Sequence, residues 1–288
     1  MKQLREWKLA RRSLSFGEYT LVMGILNVTP DSFSDGGHFF DIQTAIARAE
    51  EMVAEGADIL DVGGESTRPG AVLVSVAEEI RRIVPVVEAV AHKIAIPISV
   101  DTTKAEVARA ALQSGAEIIN DISGLRFDSR LADEAARAGA GLVLMHSRGT
   151  PETMHKLEPV ADVLTEVTSS LRQSVAEAER RGVGRKSIAL DPGIGFSKSA
   201  EQNVELLANL NNLASEFAEY PILVGTSRKR FISALLGGVP ADERIHGTMA
   251  TVTAAVLNGA AIVRVHDVLV AVQTVRVADA IKAVTGDK

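Results

Sequence analysis

The sequence predicts an α/β fold, a single (β/α)8 barrel (TIM barrel) with its active site at the C-terminal face of the strands. Two observations predict it. Eight short, nearly continuous apolar runs recur along the 288 residues, as expected of parallel strands buried on both faces. Segments with helical spacing of apolar residues follow these runs, and eight such pairs fill one barrel domain. A doubly wound open sheet is the structural alternative, but the glycine fingerprint expected after its first strand is missing.

The predicted strands are rich in aliphatic and β-branched residues and are spread along the chain from residue 21 onward. In chain order they are Leu21–Asn27, Ala57–Gly64, Pro97–Thr102, Glu117–Ser123, Gly141–Ser147, Ser187–Gly193, Pro221–Ser227 and Ala261–Asp267. The first of them runs into a polar loop, Thr29–Gly37, which ends in a pair of glycines. Such a loop at the end of a barrel strand is a candidate for covering the active site.

The predicted helices each carry one apolar stripe that would face the sheet. They are Ile42–Ala54, Val76–His92, Lys104–Gln113, Ser129–Ala138, Val160–Arg181, Glu201–Leu213, Glu243–Asn258 and Val268–Val284. We expect Pro85 to kink the second helix, because a proline ring clashes with the preceding helical turn. Glycines that can end a helix in the left-handed conformation before the next strand are Gly56, Gly115, Gly139 and Gly259.

The domain organisation that we expect is a lead-in over residues 1–20 followed by one barrel domain over residues 21–288. No linker rich in glycine, serine or proline divides the chain. The lead-in is basic, and we expect its charges to be solvated. It lacks the apolar segment of a secretory signal, and no later run reaches the roughly 18 apolar residues of a membrane span, so we expect a cytoplasmic protein without a membrane partner.

Composition excludes several classes of function. The net charge of −6 disfavours a nucleic-acid partner, although a local cationic pocket can still hold a small anion. The absence of cysteine removes disulfides, thiolate nucleophiles and thiolate metal sites, so any metal must be bound by oxygen or imidazole. Ser-His-Asp spacing, an HExxH motif and a Walker loop are also missing, which leaves hydrolysis by those routes without support.

Polar residues recur at the C-terminal ends of the predicted strands, where a barrel builds its active site. Those residues are Asn27, Glu65 to Arg68, Asp101, Asn120, Asp121, His146, Asp191, Ser227 to Lys229, Arg264, His266 and Asp267. Taken alone, Asp101 or Asp191 is equally suited to capping the following helix, and Asn120 to satisfying loop backbone. Strand alternation places Arg264 on the same face as His266, towards the barrel mouth.

The chemistry of these side chains divides them into two groups. Those that could hold an anion such as a diphosphate are Asn27, Lys229, Arg264 and His266. Those suited to the hydrogen-bonding edge of a flat heterocycle are Asp101, Asn120 and Asp191. The sequence therefore predicts one set of residues that could hold an anion and another suited to a flat heterocycle.

The motifs of this chain resemble those of the dihydropteroate synthase family from Leu21 to the end. They are "GILNVTPDSFSDGG", "GGESTRPGA", "SVDTTK", "INDISG", "LMH", "DPGIGF", "SRKRF" and "RVHD", in the order expected of that family. The resemblance implies condensation of 6-hydroxymethyl-7,8-dihydropterin diphosphate with p-aminobenzoate to 7,8-dihydropteroate and pyrophosphate, in folate biosynthesis. It also implies a magnesium cofactor and a homodimer.

The resemblance assigns roles residue by residue. It implies pterin binding by Asp101, Asn120, Met145, Asp191, Gly195, Phe196 and Lys229. It implies diphosphate binding by Asn27, Arg68, Arg264 and His266, with Asn27 also ligating Mg²⁺. It implies that the p-aminobenzoate site and its covering loops are formed by Phe33, Thr67, Arg68, Pro69 and Ser227. The residues expected to act in catalysis are Asp101, Lys229, Arg264 and His266.

The implied reaction is dissociative: diphosphate leaves first and gives a pterin-stabilised cation, which Asp101 stabilises before the arylamine attacks. We expect the loop Thr29–Gly37 and the segment "STRPG" to close over the reacting carbon and exclude water. One departure from the family pattern is Arg230, where members can carry a small residue such as serine.

Two rival functions stay open at this point. A corrinoid-type pterin methyltransferase uses a similar barrel, but it has no need of the diphosphate residues. A non-catalytic pterin-binding paralogue would keep the fold without turnover.

Overall fold

The computed structural model describes residues 5–28, 38–65, 74–150, 153–154 and 156–285, with backbone alone for residues 38–41 and 285. Eight parallel strands form the central sheet. They are β3 (Leu21–Asn27), β4 (Ile59–Gly63), β5 (Ile98–Asp101), β6 (Ile118–Asp121), β7 (Gly141–Met145), β8 (Ile188–Asp191), β9 (Leu223–Val224) and β10 (Ile262–Val265). Their order is β8-β7-β6-β5-β4-β3-β10-β9, and a parallel bridge between Leu190 and Ile222 joins the two ends. The predicted (β/α)8 barrel is confirmed.

The helices pack their apolar stripes on the outside of this barrel. They are α1 (His38–Ala54), α2 (Val76–Ala91), α3 (Ala105–Gln113), α4 (Arg130–Ala138), α5 (Val163–Arg180), α6 (Ala200–Ala208), α7 (Leu210–Glu216), α8 (Arg230–Leu235), α9 (Ile245–Leu257) and α10 (Val268–Thr285). The four glycines predicted to end helices all have positive φ angles. Among the helices that the structure describes, none combines the length and apolarity needed to cross a membrane.

Two details differ from the predicted helices. Glu201–Leu213 was expected as one helix, but α6 ends at Asn209, whose φ of −110° and ψ of 19° interrupt the helix before α7. The short helix α8 lies in a stretch for which no helix was expected. Helix α2 continues through Pro85 to Ala91, and the kink expected at Pro85 stays a prediction.

The lead-in is a folded part of the barrel. Strands β1 (Arg5–Lys8) and β2 (Ser13–Phe16) form an antiparallel hairpin. Trp7 is fully buried and packs with the residues that begin several barrel strands, including Leu21, Ile118 and Ile262. Its indole Nε1 donates to the carbonyl of Ser187 at 3.0 Å. The charged side chains are exposed as expected, but the hairpin closes the N-terminal opening of the barrel, opposite the candidate active site.

We expect Trp7→Ala to lower the free energy of unfolding by about 3–5 kcal/mol, because it leaves a cavity at the closed end of the barrel. Urea denaturation measures this loss, with the exposed Lys8→Ala as control. The activity of the folded fraction should be unchanged, since the hairpin is remote from the opposite rim. A loss under about 1 kcal/mol would show that the hairpin adds little to the core.

Candidate active site

Opposite charges meet at the C-terminal rim of the barrel around Arg264. This side chain starts from β10, and its Nε donates to Asp61 Oδ2 at 2.6 Å. Its Nη2 donates to Asp101 Oδ2 at 2.7 Å, at the end of β5. One guanidinium therefore connects two carboxylates from strands on the same side of the barrel, and it has a fork geometry suited to holding oxygen anions.

Asp61 was not among the candidates from the sequence, although it is central to this rim. It is fully buried in β4, and its Oδ2 also accepts a hydrogen bond from Asn120 Nδ2 at 3.1 Å. Its Oδ1 has no hydrogen-bond partner among the described residues. The candidates near this strand were Glu65 to Arg68, which follow its last residue. The overlooked signal was an aspartate within an apolar run, two residues before Gly63, where alternation directs both positions to the same face.

The electrostatics at Asp101 are set by competing neighbours. Burial raises the pKa of its carboxyl to about 7; Arg264 opposes this rise, while the negative charges of Asp61 and Glu79 add to it. Burial works to lower the pKa of Arg264, but Asp61 and Asp101 outweigh it and hold that pKa above its usual value. Asp101 is thus a carboxylate whose charge is sensitive to its surroundings near neutral pH.

The residues expected to bind pterin lie at the ends of β6, β7 and β8. Asn120 is in register with Asp101, and Met145 is in register with Asp191. All but Asp101 among these four are less than a tenth exposed. The pKa of Asp191 is raised by burial, and Lys229 opposes that rise. The structure therefore groups polar edges and one apolar side chain on neighbouring strands, as a pocket for a flat heterocycle requires.

Three further residues expected to bind pterin lie next to one another: Lys229, Gly195 and Phe196. The Lys229 ammonium lies 4.5 Å from the centre of the Phe196 ring and donates to the carbonyl of Ile194. A Cβ at Gly195 would lie 2.5 Å from Lys229 Cδ, and the φ angle there is +83°, so the position requires glycine. Burial lowers the pKa of Lys229 to about 8, with Asp191 opposing the change.

The residues expected to hold the anion lie beside β3 and β10. Ser227 Oγ and His266 Nδ1 are 2.9 Å apart, which joins an expected p-aminobenzoate residue to an expected diphosphate residue. Asn27, at the end of β3, and Asp101 are each in register with Gly63 of the strand between them. The small glycine therefore leaves the space between their side chains open.

Other rim residues are committed to structural contacts. Asp121 accepts hydrogen bonds from Ser123 and Leu125 within its own loop. Arg228 pairs with Asp267, with Nε at 3.1 Å from Oδ2, so a carboxylate already neutralises its charge. Arg230, the departure from the family pattern, is exposed at the start of α8.

Four expected site residues lie outside the described part of the chain. They are Phe33, Thr67, Arg68 and Pro69. Their roles stay predictions, as does closure of the loops that carry them. Glu65 is the last described residue before Thr67, Arg68 and Pro69. Its carboxylate accepts from Val74 N at 2.7 Å and from Lys104 Nζ at 2.6 Å.

Comparison with known proteins agrees with this geometry. The family model described as "Pterin binding enzyme" matches residues 23–266. A dihydropteroate synthase from Synechocystis sp. is 50% identical over 266 residues, which cover 92% of this chain and 91% of the relative.

Solved structures show the same likeness. The dihydropteroate synthase of Xanthomonas albilineans with 4-aminobenzoic acid superposes with a TM-score of 0.89 at 41% identity, covering 98% of this chain and 99% of that one. The same enzyme in complex with 7,8-dihydropteroate gives a TM-score of 0.84 at 40% identity, covering 96% and 99%. The chain therefore belongs to the pterin binding enzyme family and, within it, to the dihydropteroate synthases.

Proposed function

We propose that this chain forms 7,8-dihydropteroate by a dissociative route at the rim around Arg264. Family membership supplies the overall reaction: a C–N bond is formed in folate synthesis, with a pterin diphosphate and p-aminobenzoate as substrates. The observation that supports the route is the contact between Arg264 and Asp101. It places a carboxylate and a cationic anion-binding group next to each other, as separation of a cation from a diphosphate requires.

In the proposed reaction, Asn120, Asp191 and Lys229 hold the polar edge of the pterin, with Met145 and Phe196 against its faces. The C–O bond to the diphosphate breaks, and its electron pair leaves with the diphosphate oxygen. The Asp101 carboxylate stabilises the resulting pterin cation, while Arg264 and His266 bind the departing anion. The amine nitrogen of p-aminobenzoate then attacks the cationic carbon and afterwards loses a proton. A strong general base is not required.

A magnesium ion fits this site through Asn27. Among the described residues, no group of three or more His, Asp or Glu side chains is arranged to hold a metal. Mg²⁺ instead suits a site with one or two protein oxygens, because it keeps several waters and binds substrate phosphates. Asn27 ends its strand on the rim, level with Gly63 and Asp101. When bound there, the ion would neutralise charge on the diphosphate.

Pyrophosphate release by the purified protein tests this function. We expect release with Mg²⁺, pterin diphosphate and p-aminobenzoate together, and its loss when EDTA removes the metal. A second test uses pterin diphosphate with ¹⁸O in the oxygen that joins the pterin carbon to phosphorus. In the absence of p-aminobenzoate, a dissociative route predicts that this label moves into non-bridging positions of the same phosphate. If pyrophosphate release stays at the background rate with all components present, the protein is a non-catalytic paralogue. If pyrophosphate is released but the label does not scramble, the amine displaces the diphosphate directly.

We also propose that the protein acts in the cytoplasm as a homodimer that associates through α9 and α10. Helix α10 exposes Leu269, Val277 and Val284, and Val277 is 62% exposed. A cavity of about 430 Å³ between the two helices is lined in part by Met249 and Val277. Exposed apolar side chains that recur along one helix are typical of protein interfaces.

We expect Val277→Glu to convert the dimer to monomer, because it places a charge in the proposed interface. Sedimentation velocity across a concentration series measures the change. Val204→Glu, at an exposed valine on α6, is the matched control and should leave the dimer intact. A wild-type monomer, or a Val277→Glu dimer of unchanged affinity, would contradict the proposed interface.

A further inference from the structure

The loop between β8 and α6, residues 192–199, has a backbone that needs support from outside itself. It carries Gly195 and Phe196, which form a wall of the proposed pterin pocket. Positive φ angles occur at Gly193 (69°), Gly195 (83°) and Ser197 (49°). The left-handed conformation is unfavourable for a residue with a side chain such as Ser197, so contacts with the rest of the protein must hold this shape.

Lys198 makes those contacts from within the loop. Its Nζ donates to the carbonyls of Gly193 at 2.8 Å and Phe196 at 3.1 Å, and it lies 2.9 Å from His146 Nδ1. Burial lowers the pKa of Lys198 to about 7; in its protonated form the three donors of the ammonium are matched by the two carbonyls and the His146 ring nitrogen. The side chain is therefore directed into the loop and fixes its curvature at two carbonyls.

His146 connects Lys198 and its loop to the barrel. It follows the last residue of β7, and its backbone N–H donates to the carbonyl of Asp191 at 2.9 Å. Burial lowers the pKa of the imidazole to about 2, and the positive charge of Lys198 acts in the same direction. The ring is thus neutral, and in the tautomer protonated at Nε2 its Nδ1 accepts from the lysine.

A second lysine acts on the same loop from the pocket side. Lys229 donates to the carbonyl of Ile194 and lies against the Phe196 ring. Because Lys229 is also an expected substrate contact, a bound pterin would compete for its ammonium. Lys198 has no such competitor, since its protons are all used by the loop and by His146.

We propose that Lys198 is a positioning residue, which together with His146 holds Gly195 and Phe196 in the shape that receives the pterin ring. The proposal rests on the pterin pocket assigned above. If the proposal is right, Lys198 affects binding of the pterin substrate but not binding of p-aminobenzoate. The reason is that the loop it shapes belongs only to the pterin side of the proposed site.

Steady-state kinetics of Lys198→Met test this. We expect the KM for pterin diphosphate to rise about 10- to 100-fold, as loss of charge-assisted hydrogen bonds implies, with the KM for p-aminobenzoate within about threefold of wild type. Amide hydrogen exchange at Gly195 and Phe196 should accelerate. Lys186→Met, an exposed lysine before the other end of β8, is the matched control and should change neither constant. His146→Asn should raise the same KM by a smaller factor, and it serves as the test if Lys198→Met fails to fold.

Asn120→Ala, measured in parallel, distinguishes an error in the proposed pterin pocket from an error in the proposed role of Lys198. If Asn120→Ala leaves the KM for pterin diphosphate unchanged, the proposed pocket is wrong and the role of Lys198 falls with it. If Asn120→Ala raises that KM but the Lys198 and His146 variants do not, only the positioning role is wrong. Equal rises in both KM values for Lys198→Met would indicate general damage to the site and would also overturn the proposal.

Discussion

Asp101→Asn is expected to lose most of its turnover while becoming more resistant to unfolding. The substitution keeps the size of the side chain and removes the negative charge that would stabilise the pterin cation. Loss of one preorganised electrostatic group at a developing charge lowers kcat by about 10²–10³-fold. The KM for pterin diphosphate should stay within about threefold, because the expected binding edge of the pterin is held by Asn120, Asp191 and Lys229.

The stability gain follows from the raised pKa of Asp101. Folding lifts this pKa from 3.8 to about 7, so the folded state disfavours the ionised carboxyl. The penalty is absent below the unfolded pKa and is complete above the folded one. A neutral amide avoids it, and we expect Asp101→Asn to unfold with about 1–3 kcal/mol more free energy at pH 8, a gain that shrinks towards pH 4.

Urea denaturation at pH 8 and pH 5, with stopped-flow or steady-state turnover on the same samples, measures both effects. Equal losses in kcat and in affinity for the pterin substrate would contradict the cation-stabilising role, since they indicate a binding role instead. A less stable variant at pH 8 would show that pairing with Arg264 outweighs the burial penalty.

The barrel was predictable because strands buried on both faces leave an unmistakable apolar run in the sequence. The bounds predicted for the first barrel strand, Leu21–Asn27, are those of β3, whereas the predicted strand Pro221–Ser227 is reduced to Leu223–Val224 in β9. The hairpin was missed because each of its strands has four residues and few apolar ones. Burial of Trp7 depends on contacts with strands far along the chain, which local periodicity does not carry.

The candidate site was predictable where a polar residue ends an apolar run. Asp101 and Asn120 were found in this way, and the structure brings Asp101 to Arg264 and Asn120 to Asp61. The sequence did not reveal that Arg228 pairs with Asp267, because that pairing is decided by tertiary structure.

Asp61→Asn is expected to lower kcat/KM for pterin diphosphate by about 10- to 100-fold, the cost of removing one partner of a buried charged network. Asp61 Oδ2 accepts from both Asn120 and Arg264, so its charge aligns a pterin-binding residue with an anion-binding one. An amide oxygen can still accept from Asn120 but attracts the guanidinium less strongly. Arg264 would then pair mainly with Asp101, which alters the geometry offered to the diphosphate.

The same variant makes a prediction that general damage would not reproduce. The negative charge of Asp61 helps to raise the pKa of Asp101, and Arg264 lowers it. In Asp61→Asn this negative charge is removed, and Arg264 pairs more strongly with Asp101. Both changes lower the pKa of Asp101. Because the ionised carboxylate is the active form, the acid limb of the pH profile of kcat should move to lower pH in Asp61→Asn. Asp58→Asn is the matched control: Asp58 directly precedes the strand that carries Asp61 and accepts from Val22 N at 2.8 Å. That variant should leave the limb where it is in the wild type, and an unmoved limb in Asp61→Asn would show that Asp61 does not set the charge state of Asp101.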